Sequence, residues 1–288
     1  SDLNSVKNYL SLVKFSHTIF AMPFAIIGFF LAIQYDNVQL DWQLLLYVIL
    51  CMVFARNAAM GFNRFIDRKI DLANPRTAQI REIPNGTIKP KAALTFVIIN
   101  CALFIATTFF INTICFYLAP VALIVVLGYS LTKRFTALCH LVLGLGLSLA
   151  PTGAFLAVTG YFAWLPLLFS FAVLFWVSGF DIIYALQDED FDKTEKLHSI
   201  PVLLGKNNAL NLSNILHVLT AGFILGAGYL GEFNFYYWIG AFIFITLLIY
   251  QHLLVKPNDL SKVNLAFFTT NGVASVIFAI FVLADLYL

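Results

Sequence analysis

The first residues that could bind a ligand form an evenly spaced polar series. Asn63, Asp67 and Asp71 follow one another at intervals of four residues, and Pro75 comes four residues later. Each residue of an α-helix turns by about 100°, so these three side chains drift by only about 80° and form one stripe. Because proline is incompatible with a helix interior, the helix is predicted to end before Pro75.

A second acidic series has the same character. Asp181, Asp188 and Asp192 are spaced by seven and four residues. On a helix they would lie within about 40° of one another, whereas Asp190 would point to the opposite face. We therefore predict that Asp181, Asp188 and Asp192 share a site and that Asp190 stands outside it.

Both series consist of oxygen ligands at the predicted C-terminal ends of apolar helices. The helix dipole disfavours negative charge at a C-terminus, so clustering carboxylates there costs free energy. A Mg²⁺ ion would offset that cost, since it typically takes one or two carboxylates together with phosphate oxygens and water. The alternative is a solvated rim of charge at a membrane surface. Two stripes at equivalent depth favour a shared site for Mg²⁺ and a diphosphate.

The elements that carry these residues are predicted to be membrane-spanning helices. Of the 288 residues, 61% are hydrophobic and only 11% are charged, which indicates a protein of the lipid bilayer and gives no support for nucleic-acid binding. A helix needs about 20 apolar residues to cross roughly 30 Å of hydrocarbon. Nine segments qualify: 16–34, 42–66, 91–110, 113–131, 137–158, 162–186, 209–230, 236–255 and 264–286. Only a tight turn separates the third from the fourth, so eight spans are the alternative.

Basic residues define an orientation for these segments. All 17 Lys and Arg residues lie before the first segment, near the ends of even-numbered segments or in the loops that follow them. The positive-inside rule therefore predicts a cytoplasmic N-terminus and an outside C-terminus. The active site would open toward the cytoplasm, and in a bacterium the membrane would be the inner one. Arg56 lies within the second segment, where a charge is expensive unless it serves a cavity.

The two polar series resemble the signature motifs of the UbiA superfamily of intramembrane prenyltransferases. Asn63-xxx-Asp67-xxx-Asp71 is similar to the first motif, and the stretch from Asp181 to Asp192 is similar to the second, DxxYAxxDxxxD. The resemblance covers essentially the whole chain. It implies one all-α transmembrane domain over residues 1–288, with nine helices around a central cavity.

Further segments resemble the 4-hydroxybenzoate polyprenyltransferases of that superfamily, including members of the futalosine pathway. These segments are Arg56, the Tyr129-xxx-Lys133-Arg134 sequence after the fourth helix, and the loop around His198.

The stretch from Pro75 to Arg81 is similar to the family's Arg-Thr-xx-Arg segment but has one extra residue. A role for Arg81 is therefore less secure than one for Arg76. His17 and His140 match no motif, and we interpret them as packing or topology residues.

The resemblance implies a Mg²⁺-dependent transfer of a prenyl group from a polyprenyl diphosphate, with particular residues in each role. The implied metal ligands are Asn63, Asp67, Asp71, Asp181, Asp188 and Asp192. The implied catalytic residues are Asp67, Asp71, Asp188, Asp192, Lys133 and Tyr129. The implied substrate-binding residues are Arg56, Asn63, Asp181, Tyr184, Arg134 and His198.

Several of these roles have alternatives at the level of the sequence. Arg56 could bind the carboxylate of an acceptor, or it could neutralise Asp67 and Asp71 as a structural partner. Lys133 and Arg134 could simply reflect the positive-inside rule, as tyrosines could reflect interfacial anchoring. A lone histidine in a loop is often only solvated.

The reaction implied by the resemblance prenylates an aromatic acid, with 4-hydroxybenzoate as the first acceptor, in quinone biosynthesis. A naphthoate-type menaquinone precursor is the alternative acceptor. An ion-coupled membrane transporter is the alternative of another class, but transporters usually place their ion sites near the bilayer midplane. The crowding of acids at one end of the helices therefore favours the enzyme. The number of subunits stays open.

Overall fold

The computed structural model describes residues 2–288, in which helices are the principal element. Short turns connect most of the helices, a longer loop (residues 74–89) joins α4 to α5, and a 3-10 helix (Phe15–Ile19) precedes the second helix. The α-helices are α1 (Asp2–Leu12), α2 (Met22–Tyr35), α3 (Trp42–Ile66), α4 (Arg68–Ala73), α5 (Pro90–Ile111), α6 (Thr113–Thr132), α7 (Cys139–Thr159), α8 (Trp164–Ala185), α9 (Glu189–Thr194), α10 (Ile200–Leu230), α11 (Phe235–Leu254) and α12 (Asn271–Tyr287). A 3-10 turn (Leu186–Asp188) joins α8 to α9, and a π-helix (Leu265–Thr270) leads into α12.

Nine helical segments within residues 2–288 are long and apolar enough to cross a membrane, which confirms the predicted all-α architecture and the number of spans. The eight-span alternative is wrong because Asn112 separates α5 from α6. Its backbone is extended, and its side chain accepts a hydrogen bond from the Cys115 N–H at 2.9 Å, which caps α6. The seventh span is longer than predicted: it begins at Ile200, with a break at Gly205 where φ is +81°.

The predicted acidic stripes do not lie on continuous helices. The helix that begins at Trp42 ends at Ile66, and Asp67 forms the junction with α4. The second series is interrupted in the same way by the Leu186–Asp188 turn. The sequence pattern alone could not reveal these interruptions, since neither contains glycine or proline. The predicted stop before Pro75 is confirmed, because α4 ends at Ala73 and Asn74 is extended.

α8 lies at the centre of the bundle and packs against α7 and α10. Most of its side chains are buried, and Phe169, Trp176 and Phe180 belong to the main aromatic core, whereas Trp164 and Phe171 are exposed. This helix therefore carries Asp181 into the protein interior and not toward lipid. A helix that is apolar all round is expected in such a position.

Glycines allow two pairs of helices to approach closely. A Cβ on Gly28 of α2 would lie 2.1 Å from the Pro151 carbonyl oxygen of α7. A Cβ on Gly144 of α7 would lie 2.4 Å from the Leu174 carbonyl oxygen of α8. Such contacts require the absence of a side chain, and they fix the position of α7 between its neighbours.

A cavity of about 400 Å³ lies between the segment that precedes α2 and the helices α3, α5, α6 and α7. Its lining is overwhelmingly apolar and continues along α7 from Val142 to Ala157, nearly the whole length of that helix. The cavity thus has the length and apolar lining that a hydrocarbon chain requires.

Candidate active site

Asp67 is the most deeply buried acidic residue of the described chain, with 1% of its surface exposed. Lys133 Nζ lies 2.6 Å from its Oδ2, and Arg134 Nη2 lies 3.2 Å from its Oδ1. Arg134 also donates a hydrogen bond to the Ile66 carbonyl at 3.0 Å. A buried carboxylate requires such counter-charges. The basic pair predicted from the sequence therefore meets the first acidic series, and it joins the end of α6 to the end of α3.

Asp71 is held by the loop that follows α4. Its Oδ1 pairs with Arg81 Nη1 at 2.8 Å, and its backbone carbonyl accepts a hydrogen bond from the Thr77 hydroxyl at 2.7 Å. Its Oδ2 is buried and has no hydrogen-bond partner within residues 2–288. One oxygen of this carboxylate is thus committed to the protein, and the other can accept a ligand.

Asp188 of the second series forms a bidentate pair with Arg76. Arg76 Nε donates to Oδ1 at 2.9 Å and Nη2 donates to Oδ2 at 2.7 Å, while Nη1 donates to the Tyr184 hydroxyl at 3.1 Å. Burial alone would lower the pKa of Arg76, but the hydrogen bond and the charge of Asp188 raise it above its ordinary value. The Asn74 amide also donates to Asp188, at 3.2 Å.

The loop after α4 brings the two acidic series together. Arg81 holds Asp71 of the first series, and Arg76 holds Asp188 of the second, which lies 112 residues further along the chain. Neither arginine was among the predicted site residues. The signal that could have found them is the family-like Arg-Thr-xx-Arg segment in which they lie.

Asp181 has a partner that the sequence assigned to packing. Nδ1 of His140 lies 2.7 Å from Asp181 Oδ2, and Nε2 of His140 accepts a hydrogen bond from the Ile200 N–H at 3.1 Å. The second contact assigns the tautomer, so the proton is on Nδ1 and is donated to Asp181. His140 therefore orients Asp181 and ties it to the start of α10.

The two remaining acids of the second series differ in exposure. Asp192 is partly buried, and its carboxylate forms no ion pair with any residue from 2 to 288. Asp190 is exposed on the same short helix. The two residues thus differ in exposure, and the role of Asp192 in a shared site stays a prediction.

Asn63 lies within a buried network of side-chain hydrogen bonds. Its amide nitrogen donates to the Ser130 hydroxyl at 3.1 Å and to the Tyr129 hydroxyl at 3.4 Å, and its Oδ1 accepts from Arg64 Nη1 at 2.8 Å. Arg64 is only 7% exposed and was not predicted as a site residue. Its charge at the end of an apolar span was the available signal. Tyr129 links this network to the cavity, whose wall it forms.

Arg56 also lines the cavity and does not bind the aspartates. Its Nη2 donates to the Val13 and Lys14 carbonyls at 3.3 and 3.4 Å, and its buried Nε has no partner within residues 2–288. Asp67 and Asp71 pair with other basic residues, so Arg56 is not their structural counter-charge.

His198 is brought to the site through its backbone. Its N–H donates to the Lys133 carbonyl at 2.7 Å, whereas its side chain is exposed and forms no hydrogen bond within residues 2–288. Tyr184, by contrast, faces inward: its ring lies 4.4 Å from that of Phe267, and its hydroxyl accepts from Arg76.

Comparison with known proteins identifies the family of this chain. The model of the UbiA prenyltransferase family matches residues 21–273. A 4-hydroxybenzoate octaprenyltransferase of Aliivibrio fischeri (strain MJ11) is 33% identical over 244 residues, which cover 83% of this chain and 82% of the relative. A protein of the same name from Tolumonas auensis is 30% identical, with 85% of each chain covered.

Solved structures share the fold. The apo structure of a UbiA homolog from Aeropyrum pernix K1 superposes with a TM-score of 0.84 at 27% identity, over 93% of this chain and 98% of that one. A UbiA homolog from Archaeoglobus fulgidus bound to DMAPP and Mg²⁺ gives a TM-score of 0.74 at 22% identity, over 97% and 99% of the two chains. With nine apolar helical segments within residues 2–288 and its paired acidic series, the chain belongs to the UbiA prenyltransferase family and is an integral membrane prenyltransferase.

Proposed function

We propose that this protein transfers a polyprenyl group from a polyprenyl diphosphate to a ring carbon of an aromatic acid, with 4-hydroxybenzoate as the acceptor. The observation that carries the proposal is the position of the two acidic series at one end of a long apolar cavity. Tyr129 lines this cavity and accepts a hydrogen bond from Asn63, so it lies at the boundary between the cavity and the first series. The names of the Aliivibrio and Tolumonas relatives support the choice of acceptor. Membership of a prenyltransferase family favours the enzyme over the ion-coupled transporter.

The residues present fit a Mg²⁺ site that the substrate completes. No three His, Cys, Asp or Glu side chains within residues 2–288 form a metal-binding group by themselves. Mg²⁺ needs only one or two carboxylates when diphosphate oxygens and water supply the other ligands. The unpartnered Oδ2 of Asp71 offers such an oxygen. The proposed ligands are Asn63, Asp67, Asp71, Asp181, Asp188 and Asp192.

When bound, Mg²⁺ would neutralise the charge that develops on the leaving diphosphate. Basic side chains of the protein would also stabilise the leaving diphosphate. Lys133, Arg134 and Arg76 lie beside the aspartates, so a diphosphate held there is within reach of each of them. Cationic donors fixed around a leaving anion stabilise it without reorganisation during the reaction. Tyr129, at the cavity wall, is placed to present its electron-rich ring to an allylic cation.

Arg56 is the proposed contact for the acceptor carboxylate. It lies in the cavity wall, its Nε is free of partners within the described chain, and the aspartates have other counter-charges. A guanidinium that lies among apolar side chains without a carboxylate partner is costly in free energy, and an aromatic carboxylate would supply a bidentate partner. A naphthoate-type acid is the second candidate acceptor, because it would use the same contact.

The proposed location is the bacterial inner membrane, with the site open to the cytoplasm. All basic loops lie on the side of the site, which supports that orientation.

Prenyl transfer in isolated membranes tests the reaction. Radiolabelled polyprenyl diphosphate is offered with 4-hydroxybenzoate or with a dihydroxynaphthoate, and label should appear in the benzoate product. Labelling of the naphthoate alone would show that the acceptor is a naphthoate and not 4-hydroxybenzoate. Treatment with EDTA should abolish transfer and added Mg²⁺ should restore it, whereas equal rates after both treatments would refute the metal requirement.

A further inference from the structure

His17 is a polar side chain in the wall of the apolar cavity, at the end nearest the acidic series. It belongs to the 3-10 helix Phe15–Ile19, which follows Lys14 in a left-handed conformation with φ of +49°. Arg56 donates to the carbonyls of Val13 and Lys14, immediately before this helix. The same arginine that faces the cavity thus fixes the segment that carries His17.

Aromatic rings surround the His17 imidazole. The ring centroids of Phe20, Phe267 and Phe268 lie 5.5, 5.5 and 4.8 Å from it. Phe267 in turn packs on Tyr184, whose hydroxyl accepts a hydrogen bond from Arg76, the arginine that pairs with Asp188. Ring contacts therefore connect His17 to the second acidic series.

Arg56 and His17 lie next to each other in the cavity wall. The Lys14 carbonyl accepts hydrogen bonds from both the His17 N–H at 2.8 Å and Arg56 Nη2 at 3.4 Å. Tyr129 lines the same cavity and accepts a hydrogen bond from Asn63 of the first series. An aromatic acid that contacts Arg56 within the cavity is therefore also close to His17.

The imidazole of His17 forms no hydrogen bond with any residue from 2 to 288, although it is half-buried among aromatic rings. A polar group in such surroundings loses free energy unless a partner satisfies it. Arg56 has an unpartnered Nε in the same cavity wall. The neutral form of His17 can accept a hydrogen bond, and the Arg56 guanidinium can bind a carboxylate.

We propose that His17 accepts a hydrogen bond from the ring hydroxyl of the acceptor while Arg56 binds its carboxylate. This inference rests on the proposed function and extends it to the part of the molecule that selects a hydroxylated acid. Accepting this hydrogen bond leaves the hydroxyl oxygen more electron-rich, which activates the neighbouring ring carbon toward the allylic cation. Both ends of the acceptor are then held, and its reactive edge faces the diphosphate.

The test measures binding of 4-hydroxybenzoate and of benzoate, which lacks the hydroxyl, to the full chain in lipid nanodiscs by calorimetry. The native protein should bind 4-hydroxybenzoate about threefold to tenfold more tightly, which corresponds to one hydrogen bond. His17→Phe, which suits the aromatic surroundings, should bind the two acids equally. His17→Gln, which retains an acceptor atom, should keep part of the preference. Arg56→Met should weaken both acids by the same factor.

The outcomes separate this inference from the function on which it rests. An unchanged preference in His17→Phe, or equal loss of both acids in that variant, would overturn the role of His17 while leaving the aromatic acceptor in place. Failure of the native protein to bind either acid would overturn the proposed acceptor and the inference with it. If His17→Phe did not fold, equal binding of the two acids by the native protein would be the overturning result.

Discussion

At the scale of single residues, three carboxylates of the candidate site are each paired with a particular basic side chain, whereas Asp192 has no ion pair within residues 2–288. Asp67 pairs with Lys133, Asp71 with Arg81, and Asp188 with Arg76. Deep burial makes these pairings specific, because an isolated buried charge is costly and a surface pair contributes little. The same basic residues are the proposed contacts of the diphosphate. Each pair therefore places one group for the metal and one group for the leaving anion side by side.

Neutral amides at the acidic positions should remove activity without unfolding the protein. Asp67→Asn and Asp188→Asn each preserve shape, but each removes a charge that the proposed metal site requires, so transfer should fall at least about 100-fold. Radiolabelled prenyl transfer measures the loss. Asp190→Asn is the matched control, since Asp190 is exposed on the adjacent short helix and should retain activity. Full activity in both of the first two variants would refute the site.

At the scale of helices, close approach determines where the side chains of the site lie. Gly28 brings α2 against α7, and Gly144 brings α7 against α8, so α7 can present His140 to Asp181. Residues 176–180 of α8, just before Asp181, are all buried, so packing holds this part of the helix on every side. The site is built on rigid elements, although its two acidic series themselves lie at helix interruptions.

A methyl group at the closest helix crossing should destabilise the protein. Gly28→Ala places Cβ against the Pro151 carbonyl, and such overpacking typically costs about 1–3 kcal/mol. Thermal unfolding in detergent should show a lower midpoint than that of the native chain. Gly222→Ala of α10 is the control, because its Cβ meets no atom within 4 Å and alanine favours the helix. Equal midpoints for the two variants would contradict the close approach.

A bulky residue far along the cavity should select against long donors. Gly153 lines the cavity, and a Cβ there meets no atom within 4 Å. It lies 14 residues after Cys139, about 20 Å along α7 from the end of the helix nearest Asp181. Gly153→Phe should therefore slow transfer from octaprenyl diphosphate several-fold and leave geranyl diphosphate unaffected. Parallel rates for the two donors in this variant, measured by product chromatography, would show that the chain does not follow this groove.

At the scale of the whole molecule, charge is distributed asymmetrically between the two ends of the bundle. The basic residues and the acidic series share one end, while the charged residues at the other end are all acids: Asp36, Asp41 and Glu232 lie in loops, and Asp285 lies near the end of α12. Asp285 has a structural function there, since it accepts hydrogen bonds from the N–H groups of Asn234 and Tyr237 at the start of α11. Only the basic end can attract a free anionic substrate.

The charge asymmetry predicts the orientation in the membrane. The N-terminus and the acidic series should face the cytoplasm, and the C-terminus should lie outside. Fusion of a reporter that is active only outside the cytoplasm should give activity at the C-terminus and none in the loop after α4. Activity with the opposite distribution would reverse the proposed side of the site.

The sequence by itself determined the spans and the identity of the acidic residues, because hydropathy and spacing along a helix are local properties. Tertiary structure decided which partner each residue meets. Arg76 lies 112 residues from Asp188, and His140 lies 41 residues from Asp181. These pairings depend on how far each helix is shifted along its axis relative to its neighbour. Close contacts between helices, such as that at Gly28, fix this shift. Only packing brought His17 to the cavity, since nothing in its local sequence distinguishes it from a packing residue.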